Sequence, residues 1–154
     1  MTSDLIIRIL IVFLSVVGLA NAFYFTFAYY GRIKKARWVP EILCAREGSS
    51  CVTVVQTPYA RVFGLPNSLL GIIYYVLLIA RASTGLTLGP PIAFVAQAVR
   101  LADLGLMAAG AVTVVLGFYL IYALIAKLHI HCPLCYLGHA INATIFILLV
   151  ALIW

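Results

Sequence analysis

Charge is scarce in this chain of 154 residues: 9% are Asp, Glu, Lys or Arg, and four of them are acidic. A soluble domain carries about 25% charge, so a water-soluble globular protein is excluded, as are a disordered tail and a collagen-like fibre. Side-chain amides are nearly as rare, with three Asn and two Gln. Strict alternation of apolar and polar residues is missing, which argues against a membrane β-barrel. There is no internal repeat and no low-complexity tract. What is there is 66% apolar, with a mean hydropathy of +1.17. The net charge of +6 on so apolar a chain is loop charge, not a nucleic-acid footprint. The composition is that of an integral membrane protein whose surroundings are a lipid bilayer.

A spanning helix needs about 20 apolar residues, so the chain accommodates four and one substantial loop. The apolar runs are 5–30, 65–81, 101–126 and 132–154. The first is too long for a signal peptide's apolar region and is read as helix 1. The second opens at Pro66-Asn67-Ser68, which suits a helix start, and closes at Arg81; 83–91 then reads as a turn. The third carries Gly105, Ala109, Gly110 and Gly117, small residues that allow close helix approach. Only 127–131 separate the third and fourth runs, so these are expected to be antiparallel neighbours. The loop 31–64 is the hydrophilic segment. Pro40 opens a short helix over 41–47, 48–50 reads as a turn, and the stretch near Pro58 and Tyr59 lies on the membrane surface. The expected fold is a single all-α membrane domain over 1–154, a four-transmembrane-helix bundle.

Odd-numbered loops share one side of such a bundle. The first holds Cys44 and Cys51; the third leads directly into Cys132 and Cys135. All four cysteines therefore meet at one membrane face. Cys132-Pro133-Leu134-Cys135 is a C-x-x-C at a helix start, where free N–H groups and the helix dipole stabilise a thiolate. Cys132 is expected to be the more exposed thiol, with Cys135 one turn deeper, and His129 and His131 stand beside the pair. Cys44 and Cys51 lie in a loop with Gly48, Ser49 and Ser50 that is able to close a disulfide and to move. A mobile pair and a fixed pair make a thiol–disulfide relay, which requires direct sulfur-to-sulfur attack. An acceptor reaching Cys135 from the apolar side fits a lipid-soluble quinone. The competing readings are inert buried cysteines, two static disulfides, or zinc on Cys132, Cys135 and His139. Zinc is disfavoured because His139 lies inside the apolar run, and no metal is expected. Covalent haem attachment is disfavoured because Tyr136 follows Cys135.

With these residues in place, the chain resembles the vitamin K epoxide reductase family, in particular its short prokaryotic members without a fused thioredoxin-like domain. The likeness rests on Cys44 and Cys51, on Phe63-Gly64-Leu65-Pro66-Asn67-Ser68-Leu69-Leu70-Gly71, and on Cys132-Pro133-Leu134-Cys135, in that order. The DsbB type of quinone-linked enzyme carries its C-x-x-C in the first loop, so the cysteine order argues against it. The resemblance implies four helices around a quinone, capped by a partly helical loop. It implies that a thioredoxin-like partner is oxidised by the loop pair, and that electrons pass through Cys51 to Cys132 and from Cys135 to the quinone. Asn67 matches the family's quinone-binding Asn, and His139 stands where animal members carry a quinone-contacting Tyr. That departure disfavours vitamin K epoxide itself and points to ubiquinone or menaquinone. Phe63, Leu65, Leu69 and Tyr136 are further candidates for the quinone pocket.

Charge and resemblance conflict over orientation. Arg32, Lys34, Lys35, Arg37, Arg46, Arg61 and Lys127 lie on the cysteine side; Arg8, Arg81 and Arg100 lie on the other. The positive-inside rule puts the cysteine side in the cytoplasm, whereas most of the family has it outside. A cytoplasmic site suits an organism with disulfide-rich intracellular proteins, and scarce Asn and Gln lean the same way. Two functions follow from the sequence: a quinone-linked dithiol oxidoreductase, or a non-catalytic membrane scaffold or small carrier held by structural disulfides.

Overall fold

The computed structural model describes residues 2–32, 50–62, 64–87 and 93–153. Cys44, Phe63 and the expected short helix over 41–47 lie outside the described residues. The elements run α1 (Thr2–Tyr29), α2 (Ser50–Gln56), a 3-10 turn (Pro58–Ala60), β1 (Arg61–Val62), β2 (Leu65–Pro66), α3 (Asn67–Thr87), α4 (Ala93–Tyr122) and α5 (Pro133–Ile153). Four of them, α1, α3, α4 and α5, are long and apolar enough to cross a membrane. The chain is a multi-pass membrane bundle. Phe13, Phe118 and Ile147 stand exposed on its outer faces, where a bilayer, not water, covers apolar side chains.

α1 is the central helix, packed against both α3 and α5, while α4 packs on α5 and touches α3 sparsely. The core between α1, α3 and α5 holds Ile11, Leu78, Ile141 and Ile145. Within it Gly18 lies against the Tyr75 ring, which a Cβ at that position would overlap. A methyl there has to displace a buried aromatic ring. Gly18→Ala is expected to cost about 1–3 kcal/mol, read as a lower melting temperature of the purified chain in detergent.

Two spans are longer than their apolar runs. α3 continues through Arg81 to Thr87, so 83–87 are helical and not a turn, and the next helix already begins at Ala93. An ion pair explains both: Arg81 Nε lies 2.7 Å from Asp103 Oδ1 of α4, and an Arg81 terminal nitrogen donates to Oδ2 at 2.8 Å. Paired side-on, the guanidinium no longer ends the apolar span. At its other end α4 passes into a π-helical turn over Ala123–Leu128, and His129 takes a left-handed φ of 52°. This wide turn reverses the chain within a few residues and delivers it to Cys132, so α4 and α5 are the neighbours that the short linker requires.

The segment 50–66 is fastened across the end of α1. The Gln56 side-chain amide donates to the Tyr29 carbonyl at 3.1 Å, one of the carbonyls left open at a helix end. The Arg61 guanidinium sits 5.5 Å from the centre of the Tyr29 ring. Arg61 pairs with Pro66 and Val62 with Leu65 in a two-residue antiparallel ladder that the sequence did not reveal. Gly64, at φ 80°, takes the left-handed conformation its turn demands. The ladder fixes where α3 starts and hence where Asn67 stands. The Thr26 and Ser68 hydroxyls, hydrogen-bonded at 2.9 Å, tie that start to α1.

Candidate active site

Cys132 and Cys135 are disulfide-bonded, with their Cα atoms 5.2 Å apart. Cys132 immediately precedes α5 and caps it. The Cys135 N–H points to the Cys132 sulfur at 3.3 Å, and the Cys132 carbonyl accepts from the N–H groups of Cys135 and Tyr136, each at 3.1 Å. Pro133, lacking an N–H, occupies the first helical position at no cost. A sulfur held at an N-cap, beside the positive end of the helix dipole, is stabilised as thiolate once the disulfide opens.

Contrary to the expectation that Cys132 is the exposed thiol, its side chain is 0% exposed. It is enclosed with Phe25 and Ala28 from α1, Val55 from α2 and Leu124 from the π turn. The cause is the cap: α2 lies over the helix start, and helix position alone says nothing about what packs on top of it. Cys51 lies in the first turn of α2, one turn before Val55. The helix that covers Cys132 therefore carries a cysteine of the loop pair.

Cys135 faces the other way and lines a cavity of about 410 Å³ between α1, α3, α4 and α5, roofed by the segment that includes Val55 and Tyr59. A volume in this range suits a small organic ligand. The walls are largely apolar, yet Asn21, Asn67, Asn142 and His139 all line them. His139 is pressed against α4 at Gly117, where a Cβ would stand 3.0 Å from its Nδ1. That Nδ1 and the Asn21 Oδ1 are buried without a hydrogen-bond partner among the described residues. Unpaired polar atoms in an apolar enclosure are costly. The largely apolar lining with these few polar side chains, beside a redox-capable sulfur, fits a flat, mostly apolar ligand with a few polar atoms, and a quinone is such a ligand.

The structure brings some sequence candidates to this cavity and leaves others outside it. Cys135, Asn67 and His139 line it; Leu65, Leu69 and Tyr136 do not. On α3 the cavity face runs through Asn67, Leu70, Gly71 and Tyr74, the i, i+3, i+4, i+7 positions of one helical face, and Leu69 falls off that stripe. Leu65 belongs to β2 and is 48% exposed. Tyr136 is rotated away from the Cys135 face, and its hydroxyl lies 3.1 Å from His131 Nδ1. Sequence reasoning missed Asn21 and Asn142. The signal that finds them is their place inside apolar runs, since a polar side chain at membrane depth marks a functional position by default.

The fold and the site together define a membrane-embedded disulfide between a buried cap and an apolar cavity. The sequence model of the vitamin K epoxide reductase family matches residues 9–150, nearly the whole chain, and the chain belongs to that family. Its members are oxidoreductases acting on thiols and quinones. None of the curated proteins matches the chain in sequence.

Proposed function

We propose that the chain oxidises a thioredoxin-like dithiol protein and passes the electrons through Cys44/Cys51 and Cys132/Cys135 to ubiquinone or menaquinone, supporting disulfide bond formation. The observation that carries this reading is the division of labour within one disulfide: Cys132 lies under the helix bearing Cys51, and Cys135 lines the cavity.

The reduced partner opens the Cys44–Cys51 disulfide by exchange and leaves as its own disulfide. With α2 displaced, the Cys51 thiolate attacks the Cys132 sulfur. A Cys51–Cys132 bond forms, the Cys132–Cys135 bond breaks, and Cys135 departs as thiolate into the cavity. Cys44 then attacks Cys51, which restores the loop disulfide and frees Cys132 as a capped thiolate. The bound quinone supplies the acceptor for the two electrons and two protons that leave the dithiol as the Cys132–Cys135 disulfide re-forms. Asn67, at the start of α3, and His139, one turn below Cys135, are the side chains we assign to its headgroup. The excess of Lys and Arg on the cysteine side supports a cytoplasmic cysteine face.

The test is the ultraviolet absorbance of ubiquinone-1 or menadione mixed with the purified chain and dithiothreitol. Reduction well above the protein-free rate is expected. Equal rates with and without folded protein would return the chain to the scaffold reading. Asn67→Ala is expected to raise the quinone KM about tenfold, the worth of one lost hydrogen bond that leaves a quinone carbonyl unpaired, in the same assay.

A further inference from the structure

The chain has three asparagines, and all three line the cavity. Their chemistry there is not the same. Quinone carbonyls accept hydrogen bonds and so need donors. Asn21 commits its amide nitrogen to the Leu134 carbonyl at 3.2 Å, and its oxygen is buried without a partner among the described residues. Asn142 is arranged the opposite way. Its Oδ1 accepts a hydrogen bond from the Tyr75 hydroxyl at 2.7 Å. The oxygen end of the planar amide is thus tied to α3, and the NH2 end, with two donors, is left for the cavity.

The tie is rigid. Tyr75 is 4% exposed, and its ring fills the space that Gly18 leaves open. Asn142 also stands on the cysteine-bearing face of α5. Cys135, His139 and Asn142 follow at i, i+4 and i+7, so Asn142 lies two turns, about 10 Å along the axis, below the thiol. A headgroup approached at one edge by Cys135 presents its far edge to this level of the cavity.

Building on the quinone reading above, we infer that the Asn142 amide donates a hydrogen bond to the quinone carbonyl farther from Cys135, and that Tyr75 is the residue that positions it. The pair supplies a headgroup contact beyond Asn67 and His139 and makes the site selective for ligands with an acceptor at that depth.

Infrared spectroscopy of ubiquinone-1 bound to the full chain, with ¹³C placed at one carbonyl and then at the other, tests this. In the wild type both carbonyl bands are expected below their positions in free quinone. In Asn142→Leu one band returns to its free position and Kd rises about tenfold, the size of one hydrogen bond, while the quinone-free melting temperature stays within a few degrees. Tyr75→Phe removes one oxygen and frees the amide to rotate; the same band is expected to broaden and Kd to rise about threefold, since part of that bond survives. If Asn142→Leu does not fold, Tyr75→Phe decides by the same bands. Two shifted bands and a Kd within twofold of wild type in the decisive variant overturn the assignment while leaving the quinone reading intact. A wild-type chain that binds no ubiquinone-1 overturns both.

Discussion

Cys135→Ala is expected to lower quinone reduction by at least about a thousandfold, as removal of a reacting nucleophile does. Cys135 is the cysteine that lines the cavity, and Cys132 is walled off from it by burial among Phe25, Ala28, Val55 and Leu124. Among the described residues, no other cysteine lines the cavity. The variant also accumulates a diagnostic product. Cys132, without its partner, is able to form a disulfide with Cys51 but not to pass electrons on. Thiol alkylation followed by peptide mass mapping is expected to find that cross-link, and ultraviolet absorbance to show ubiquinone-1 unreduced in the presence of dithiothreitol. Turnover of Cys135→Ala at even a tenth of the wild-type rate would move the acceptor chemistry to another residue.

Cys51→Ala separates two sources of electrons. With reduced thioredoxin as donor, the rate is expected to fall at least about a hundredfold, because exchange requires contact between sulfurs and a protein cannot reach a Cys132 that is 0% exposed. With dithiothreitol as donor, a small uncharged dithiol, quinone reduction is expected to persist within a few-fold of wild type. The two rates, measured in one spectrophotometric assay, give the answer as a ratio. An unchanged rate from thioredoxin would mean that the partner reaches the membrane pair directly, and the relay through the loop would be wrong.

Hydropathy alone reveals the four spans, because a bilayer selects continuous apolar length, and a length is a local property of the sequence. That the loop carrying Cys51 and the pair Cys132/Cys135 share one end of the bundle is legible for the same reason, since it follows from counting spans. Where the reading fails, a distant residue decides. α3 passes through Arg81 because Asp103, on another helix, neutralises it. α2 is made from Ser-Cys-Val-Thr-Val-Val-Gln, a β-branched stretch with poor intrinsic helix propensity. It is helical where Val55 packs over Cys132 and Gln56 bonds to Tyr29. The orientation of the Asn142 amide depends on a tyrosine 67 positions away in sequence. No window of sequence contains that pair.

The roof over Cys132 also sets a tempo and a boundary. On the proposed relay, electrons enter the membrane disulfide by making and breaking S–S bonds, so exchange with a protein thiol waits on displacement of the buried cluster that holds Val55 and Cys132. A protein thiol in the surrounding water does not reach a sulfur that is fully buried. On that reading a quinone pool and a differently poised pool of protein thiols are kept from equilibrating through the chain, except when α2 shifts and brings its own cysteine onto Cys132.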